Sequence, residues 1–302
     1  NVMMDGRPID LRVSTMPSKF GEIVVLRIID SKNNRLPLDQ LGFEEKMLNN
    51  WRSVVSQPNG VVLVTGPTGS GKSTTLYSVL SQLETNEINV STVEDPIEAQ
   101  IDGINQSQIN NRAGFTFSKA LRSMLRQDPD VLMVGEIRDA ETAGIVSQAA
   151  LTGHLVFSTL HTNDSISAVT RLINLGIEPY LVSATVRGIL AQRLVRKICP
   201  HCKCAWQGED SVRLACGGDE YWMGAGCNRC RGTGYAGRLG VFELLVPTAE
   251  LLEAISCGAS LQQLYKLSKQ MNLINLQEDG LEKVRQGLTT PEEVLCMTRS
   301  AA

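Results

Sequence analysis

Residues 66–73, Gly-Pro-Thr-Gly-Ser-Gly-Lys-Ser, follow the spacing G-x-x-x-x-G-K-[ST] between an apolar run and a helix-forming run. That pattern cradles the phosphates of a nucleotide: glycines let backbone N–H groups turn inward, and the dipole of the following helix favours anions. Gly66, Pro67, Thr68, Gly69, Ser70, Gly71, Lys72, Ser73 and Thr74 form the expected nucleotide-binding set. Lys72 is expected to reach the β- and γ-phosphates as a catalytic cation, and the Ser73 hydroxyl to ligate Mg²⁺. ATP and Mg²⁺ are the cofactors this predicts.

Asp130 to Glu136 reads as an apolar strand ending in a carboxylate, the place where a P-loop fold keeps its metal-side acid. The usual Asp-Glu ending is altered, because Gly135 stands where the Asp would be. Glu136 is therefore expected to orient water or Mg²⁺ beside Ser73. A second strand end, Thr92-Val93-Glu94-Asp95-Pro96-Ile97-Glu98, carries three carboxylates, with Pro96 forcing a turn. Ligands of parallel sheets lie beyond the carboxyl ends of the strands, so Glu94 is a second candidate to polarise an attacking water. A solvated acidic turn is the alternative.

Two of the three histidines, His154 and His161, bracket one apolar run. His161 falls at its carboxyl end, where it could sense a γ-phosphate; His154 falls at the opposite end, as a structural group or a contact to a neighbouring element. Arg122 and Arg126 are four apart on a predicted helix and so share a face, and Arg138 follows Glu136 by two residues. Guanidinium groups suit phosphate charge or a subunit interface. From the residues alone these three, with Arg12 and Arg27 near the amino end, read equally as solvated or ion-paired surface groups.

Cys199-Pro200-His201-Cys202 and Cys227-Asn228-Arg229-Cys230 give two C-x-x-C knuckles separated by 24 residues. Four thiolates so arranged complete a closed tetrahedral Zn²⁺ site, structural rather than catalytic. Cys204, Cys216 and His201 leave an alternative ligand set open, and redox chemistry is the rival use. Cys257 and Cys296 are expected to be small buried residues of helices.

The elements that must position these groups follow from periodicity. Ile9–Ser14 and Glu22–Ile29 read as a strand pair, 30–37 as a linker, and Leu38–Ser56 as one or two helices. From Val61 strands and helices alternate: strands at 61–65, 90–94, 131–134 and 155–160, helices at 72–83, 117–127, from Asp139 to near Gly153, at 165–175 and at 179–190. Such alternation predicts an α/β fold, a mostly parallel sheet covered on both faces. After Arg196, cysteine, glycine and tryptophan replace apolar periodicity to about Tyr235, and 248–299 reads as short helices, one starting at Thr290-Pro291.

A length of 302 residues favours two or three domains, and 42% hydrophobic with 20% charged residues is ordinary globular composition. A net charge of −3 gives no general attraction to nucleic acid or anionic lipid, so no nucleic-acid partner is expected. Apolar runs such as 61–64 are too short to span a bilayer, no leader pattern is present, and membrane contact is expected through protein partners. The opening on Asn1 reads as the end of a domain whose beginning lies elsewhere. Paired cysteines without an export signal suit a reducing compartment.

Taken together, GPTGSGKSTTL, TVEDPIE, DVLMVGEIRDAET, TGHLVFSTLHTND and the cysteine knuckles resemble the secretion ATPase superfamily, of the GspE and PilB type, over nearly the whole chain. The four blocks match its Walker A, Asp box, Walker B and His box. The resemblance implies a RecA-like P-loop core at 38–196, preceded by the carboxyl-terminal part of a PAS-like α+β domain at 1–30 and a linker at 31–37. A tetracysteine zinc module at 197–236 and a strand with a helical subdomain at 237–302 follow.

It also implies a homo-hexameric cytoplasmic motor, peripheral to the inner membrane, that hydrolyses ATP to drive protein secretion or pilus assembly. Its partners would be an inner-membrane platform protein and a membrane-anchored docking protein, with the family's docking domain outside these residues. Arg12 and Arg27 would approach the phosphates across a domain gap, and Arg122, Arg126 and Arg138 would act at the site or across subunits. Retraction motors of the superfamily generally lack the cysteine module, which favours the assembly or secretion branch. Pilus retraction or DNA uptake is the alternative, and a zinc-containing, ATP-switched nucleic-acid-binding protein is the alternative of a different class.

Overall fold

The computed structural model describes residues 2–4, 7–29, 36–83, 85–206 and 220–299. The predicted linker falls almost wholly outside the described residues, as does Cys216. Near the amino end, β1 (Val2–Met4), β2 (Arg7–Ser18) and β3 (Gly21–Ile29) form an antiparallel sheet in which Arg12 lies directly opposite Arg27. The predicted strand pair is there, and its first strand is longer than the apolar alternation indicated.

A seven-stranded sheet carries the rest. Its strands are β4 (Gly60–Thr65), β5 (Val90–Glu94), β6 (Asn105–Gln108), β7 (Val131–Val134), β8 (Leu155–Leu160), β9 (Val186–Ile198) and β12 (Tyr235–Leu245), in the order β12-β9-β4-β8-β7-β5-β6. All neighbours are parallel except β12, which runs antiparallel to β9. Between them come α1 (Glu45–Val55), α2 (Lys72–Leu80), α3 (Phe117–Met124), α4 (Ala140–Leu151), α5 (Ser165–Asn174) and α6 (Pro179–Thr185).

β4 shows why the central strands read as continuous apolar runs. Val61 and Leu63 enter the core beneath α3–α6, while Val62 and Val64 enter the opposite core beneath α1 and α2. Both faces are covered, so 61–64 are all apolar, and the polar Thr65 comes only at the carboxyl end. After β12, α7 (Ala249–Ser256), α8 (Leu261–Gln270), α9 (Leu276–Arg285) and α10 (Pro291–Arg299) form the carboxyl-terminal helices, α10 starting at the predicted proline.

Four expectations need correction. The helix predicted over 179–190 ends at Thr185, and residues 186–198 form β9. This run pairs with β4 on one side and β12 on the other, and Gly188 sits so close to Val54 that a built Cβ would lie 2.6 Å from its side chain. A short apolar run fits either period, and here tertiary pairing decides. The helix predicted over 117–127 ends at Met124, with Asp128 at φ 50°, so Arg126 lies beyond it. Likewise α2 stops at Leu80 rather than Leu83. Cys257 and Cys296 are exposed: Cys257 caps the end of α7, which buries Leu251 and Ile255 instead, and Cys296 sits beside the buried Val294. β6 went unforeseen, because Asn-Gln-Ser-Gln is a polar edge strand with no apolar period.

Candidate functional site: a phosphate cradle and a four-thiol centre

β4 occupies the sheet's interior between β9 and β8, and the loop at its carboxyl end leads into α2. That is the topological switch point where open α/β sheets bind ligands. Gly71 caps α2 at φ 89° with no side-chain hydrogen bond, whereas Thr116, Asp139 and Asp164 each cap their helix with a side-chain oxygen. The first N–H groups of α2 are thus left for an anion. Gly66 is held at φ 150°, where a Cβ would lie 2.4 Å from the Gln192 carbonyl oxygen. The loop takes this path only with glycine.

A cavity of about 470 Å³ opens over this loop. It is walled by 68–74 on one side and by Glu94, Glu98, Glu136, Arg138 and His161 on the other, with Leu194 and Arg238 at the edge formed by β9 and β12. The Lys72 ammonium donates to the carbonyls of Gly66 (2.8 Å) and Pro67 (3.0 Å). Burial pushes its pKa down to about 8; Glu136 opposes this, Arg193 adds to it, and Glu98 opposes it. Glu136 bonds Arg138 at 2.5 Å through Oε1, and its Oε2 lies 3.5 Å from His161 Nε2. Burial and then the Lys72 charge hold the His161 pKa below its usual value, which favours the neutral ring.

At Gly135, in the place of the common aspartate, a Cβ would lie 3.3 Å from the Val93 carbonyl and 3.4 Å from Glu94 Cα, so a side chain there would have to press slightly on β5. Glu94 reaches the cavity but is buried, and its carboxylate is already engaged. Tyr77 Oη donates to Oε2, while Thr92 (2.7 Å) and Gln106 (3.1 Å) donate to Oε1.

Other sequence candidates are dispersed. Arg122 pairs with Glu141 at 3.2 Å, and Arg126 folds back onto the Arg122 carbonyl; both are exposed and away from the cavity wall. Arg12 and Arg27 are cross-strand partners in the amino-terminal sheet. His154 lies at the amino end of β8 and contacts the Ala149 carbonyl, the structural option. Leu194 and Arg238 were not singled out from sequence; Leu194 reaches the cavity because β9 outruns β4, and Arg238 because β12 returns beside β9, pairings no local pattern announces.

The second centre lies where β9 ends. The sulfurs of Cys199, Cys202, Cys227 and Cys230 lie within 4.8 Å of one another, with Cys199–Cys227 at 3.9 Å and Cys202–Cys230 at 3.8 Å. A tetrahedron of Zn–S bonds of about 2.3 Å has edges of roughly 3.8 Å, so the thiols fit a Zn²⁺ ion. Cys230 Sγ accepts from the Cys227 and Gly234 amides, which holds its pKa down, whereas burial pushes the neighbouring Cys202 thiol up. His201 turns outward onto Arg229, and Cys204 lies in the small pair β10 (Lys203–Ala205) and β11 (Trp222–Gly224), outside the cluster. The alternative ligand sets are not assembled among the described residues.

The family described as Type II/IV secretion system protein matches residues 1–296. The chain belongs to that family. Among its relatives, the type II secretion system ATPase E of Vibrio cholerae is 49% identical over 306 residues, covering 100% of this chain and 61% of the relative. The type IV pilus assembly ATPase PilB of Thermus thermophilus is 47% identical over 297 residues, covering 96% of this chain and 33% of the relative. The chain thus spans about three fifths of the first of these relatives and one third of the second. A solved structure of the pilus retraction motor PilT with bound ADP superposes with a TM-score of 0.69 at 29% identity, covering 95% of this chain and 73% of that one. Among the described residues, no helix of this family member is long and apolar enough to cross a membrane.

Proposed function

We propose that this chain is the ATP-hydrolysing core of a secretion or pilus-assembly motor. The observation that carries the reading is the single cavity in which the open amino terminus of α2, Lys72 and Ser73 face Glu136, Arg138 and His161. The relatives named as secretion and pilus-assembly ATPases, and the ADP bound to PilT, support it. On this reading 66–74 hold the nucleotide phosphates and Ser73 with Glu136 holds the metal. Mg²⁺ supplies charge neutralisation between the phosphates when bound.

Lys72 leaves the Gly66 and Pro67 carbonyls for phosphate oxygens, while Arg138 fixes the Glu136 carboxylate. Glu136 is the better of the two carboxylates for orienting the attacking water, because Glu94 is 4% exposed and accepts from Tyr77, Thr92 and Gln106, whereas Glu136 Oε2 faces only His161, at 3.5 Å, among the described residues. Glu94 holds α2 to β5 and β6. Neutral His161 beside Glu136 is placed to read the γ-phosphate.

The motor reading includes a homo-hexamer with sites completed by Arg12 and Arg27 of the amino-terminal sheet, Arg122 and Arg126 serving the subunit interface. It also includes action at the cytoplasmic side of the inner membrane through a platform protein and a docking protein. The four-thiol centre favours secretion or assembly over retraction. The domain divisions at 30, 37, 196 and 236 belong to the same proposal; β9 and β12 bracket the zinc module at 198 and 235.

Mg²⁺-dependent ATP hydrolysis measured across protein concentration tests this. The rate per chain rises with concentration if neighbouring subunits complete the site, and Glu136→Gln keeps ATP affinity but turns over about 10²–10³-fold more slowly. A wild-type chain that neither binds nor hydrolyses ATP ends the proposal.

A pH dependence also arises. Lysine is charged below its pKa, so the unliganded site loses its cation as pH rises through about 8. kcat/KM for ATP, which reports the unliganded enzyme, is expected to fall above that pH, while kcat holds further because bound phosphates keep Lys72 protonated. A kcat/KM that stays flat well above pH 8 would contradict this.

A further inference from the structure

β4 and β9 run parallel with Thr65 opposite Ala191, and β4 ends there while β9 continues to Ile198. Gln192 is therefore the first residue of β9 past the end of β4, with the phosphate loop on that side and Phe242 of β12 on the other. It is 2% exposed, and each end of its carboxamide is used. Nε2 donates to the Ser70 carbonyl at 2.8 Å, and Oε1 accepts from the Thr75 hydroxyl at 2.7 Å. Ser70 lies in the loop, and the fully buried Thr75 lies in the first turn of α2, so one side chain spans the Gly71–Lys72–Ser73–Thr74 segment between them. The contact is close: a Cβ on Gly71 would lie 2.8 Å from Gln192 Nε2.

We infer that Gln192 is a positioning residue of the phosphate site, fixing through Ser70 and Thr75 the spacing between the loop amides and the Lys72 and Ser73 side chains. An amide is expensive to bury unless both ends are bonded, and an apolar side chain would fill the same space at lower desolvation cost. What the amide adds is direction. Its acceptor can hold only a donor and its N–H only an acceptor, so the loop carbonyl and the helix hydroxyl are held in one relative placement. Ligand amides and the metal-side hydroxyl lie within that span, and a small displacement there weakens several phosphate contacts together.

The inference rests on the ATP-binding reading above, and its test separates the two. Binding of a fluorescent ADP analogue and steady-state KM and kcat for ATP are measured on the whole chain for wild type, Gln192→Met, Thr75→Val, Thr75→Ser and the Thr75→Val/Gln192→Met pair. The expected result is about a tenfold loss of nucleotide affinity for Gln192→Met and a smaller loss for Thr75→Val, the scale of one to two buried hydrogen bonds. Thr75→Ser restores wild-type affinity, and the double variant is no weaker than Gln192→Met alone, because both changes break one arrangement.

A purely structural residue would lower the melting temperature without moving KM or analogue affinity, and that outcome overturns the inference, as do fully additive losses. Thr75→Val keeps side-chain volume, so it decides the matter if Gln192→Met does not fold. Wild type that binds no nucleotide overturns the ATP-binding reading itself; wild type that binds while every variant matches it overturns only the role of Gln192.

Discussion

Lys72→Ala is expected to remove ATP turnover by about 10²–10³-fold or more while the protein stays folded. The ammonium is the one cation of the cradle that sits inside the loop, at 2.8 Å and 3.0 Å from two of its carbonyls. Its partner elements do not depend on it: α2 packs through Leu76, Tyr77, Val79 and Leu80, and the loop path is set by glycines and by Gln192. Desolvation already disfavours the charge in the unliganded state, so its loss returns part of what the two lost hydrogen bonds cost. Turnover by phosphate release and the far-ultraviolet circular dichroism spectrum are the two measurements. Normal turnover in the variant would refute the site assignment, and a lost spectrum would refute the claim that the fold is independent of it.

Removal of metal from the four-thiol centre is expected to have the larger effect on stability. Metal analysis should find about one zinc per chain, and chelation should lower the melting midpoint by on the order of 10 °C, because structural zinc contributes folding free energy directly. β10 and β11 are three residues each, too short to hold together as an isolated pair. They depend on the thiol centre and on a small core in which Trp206 and Tyr221 meet Val284 and Val294 of α9 and α10. Cys199→Ser with Cys202→Ser should reproduce the chelated state. Purified protein without zinc, or a midpoint indifferent to chelation, would remove the centre from the account.

Much of this was legible in the residues. The glycine-lysine loop, the apolar strands on either side of it and the paired cysteines are local patterns with fixed mechanical requirements, and each lies where its spacing placed it. Gln192 was not legible, since a glutamine in an apolar run announces nothing until β9 is seen to outrun β4. The same pairing hid β9 inside a predicted helix, because Gly188, Ile189, Leu190 and Ala191 satisfy a buried helix as well as a buried strand. Glu94 was found as a candidate, but its three hydrogen bonds from Tyr77, Thr92 and Gln106 depend on three elements meeting in space. Spacing locates chemistry along one segment; competition among segments for a group's lone pairs belongs to the tertiary structure.

Tyr235 stands opposite Ile198 in the β12–β9 register, so the stretch that carries the four thiols leaves the main sheet and comes back to it at one point. Such a segment is an appendix in the topological sense: its two attachment residues stay adjacent whatever lies between them. Closure entropy grows only with the logarithm of loop length, so shortening the stretch to a tight turn would cost the β9–β12 register little. The four-thiol unit is therefore tied to the sheet at a single pair and otherwise rests on Val284 and Val294, while Leu194 and Arg238 of the same two strands line the cavity.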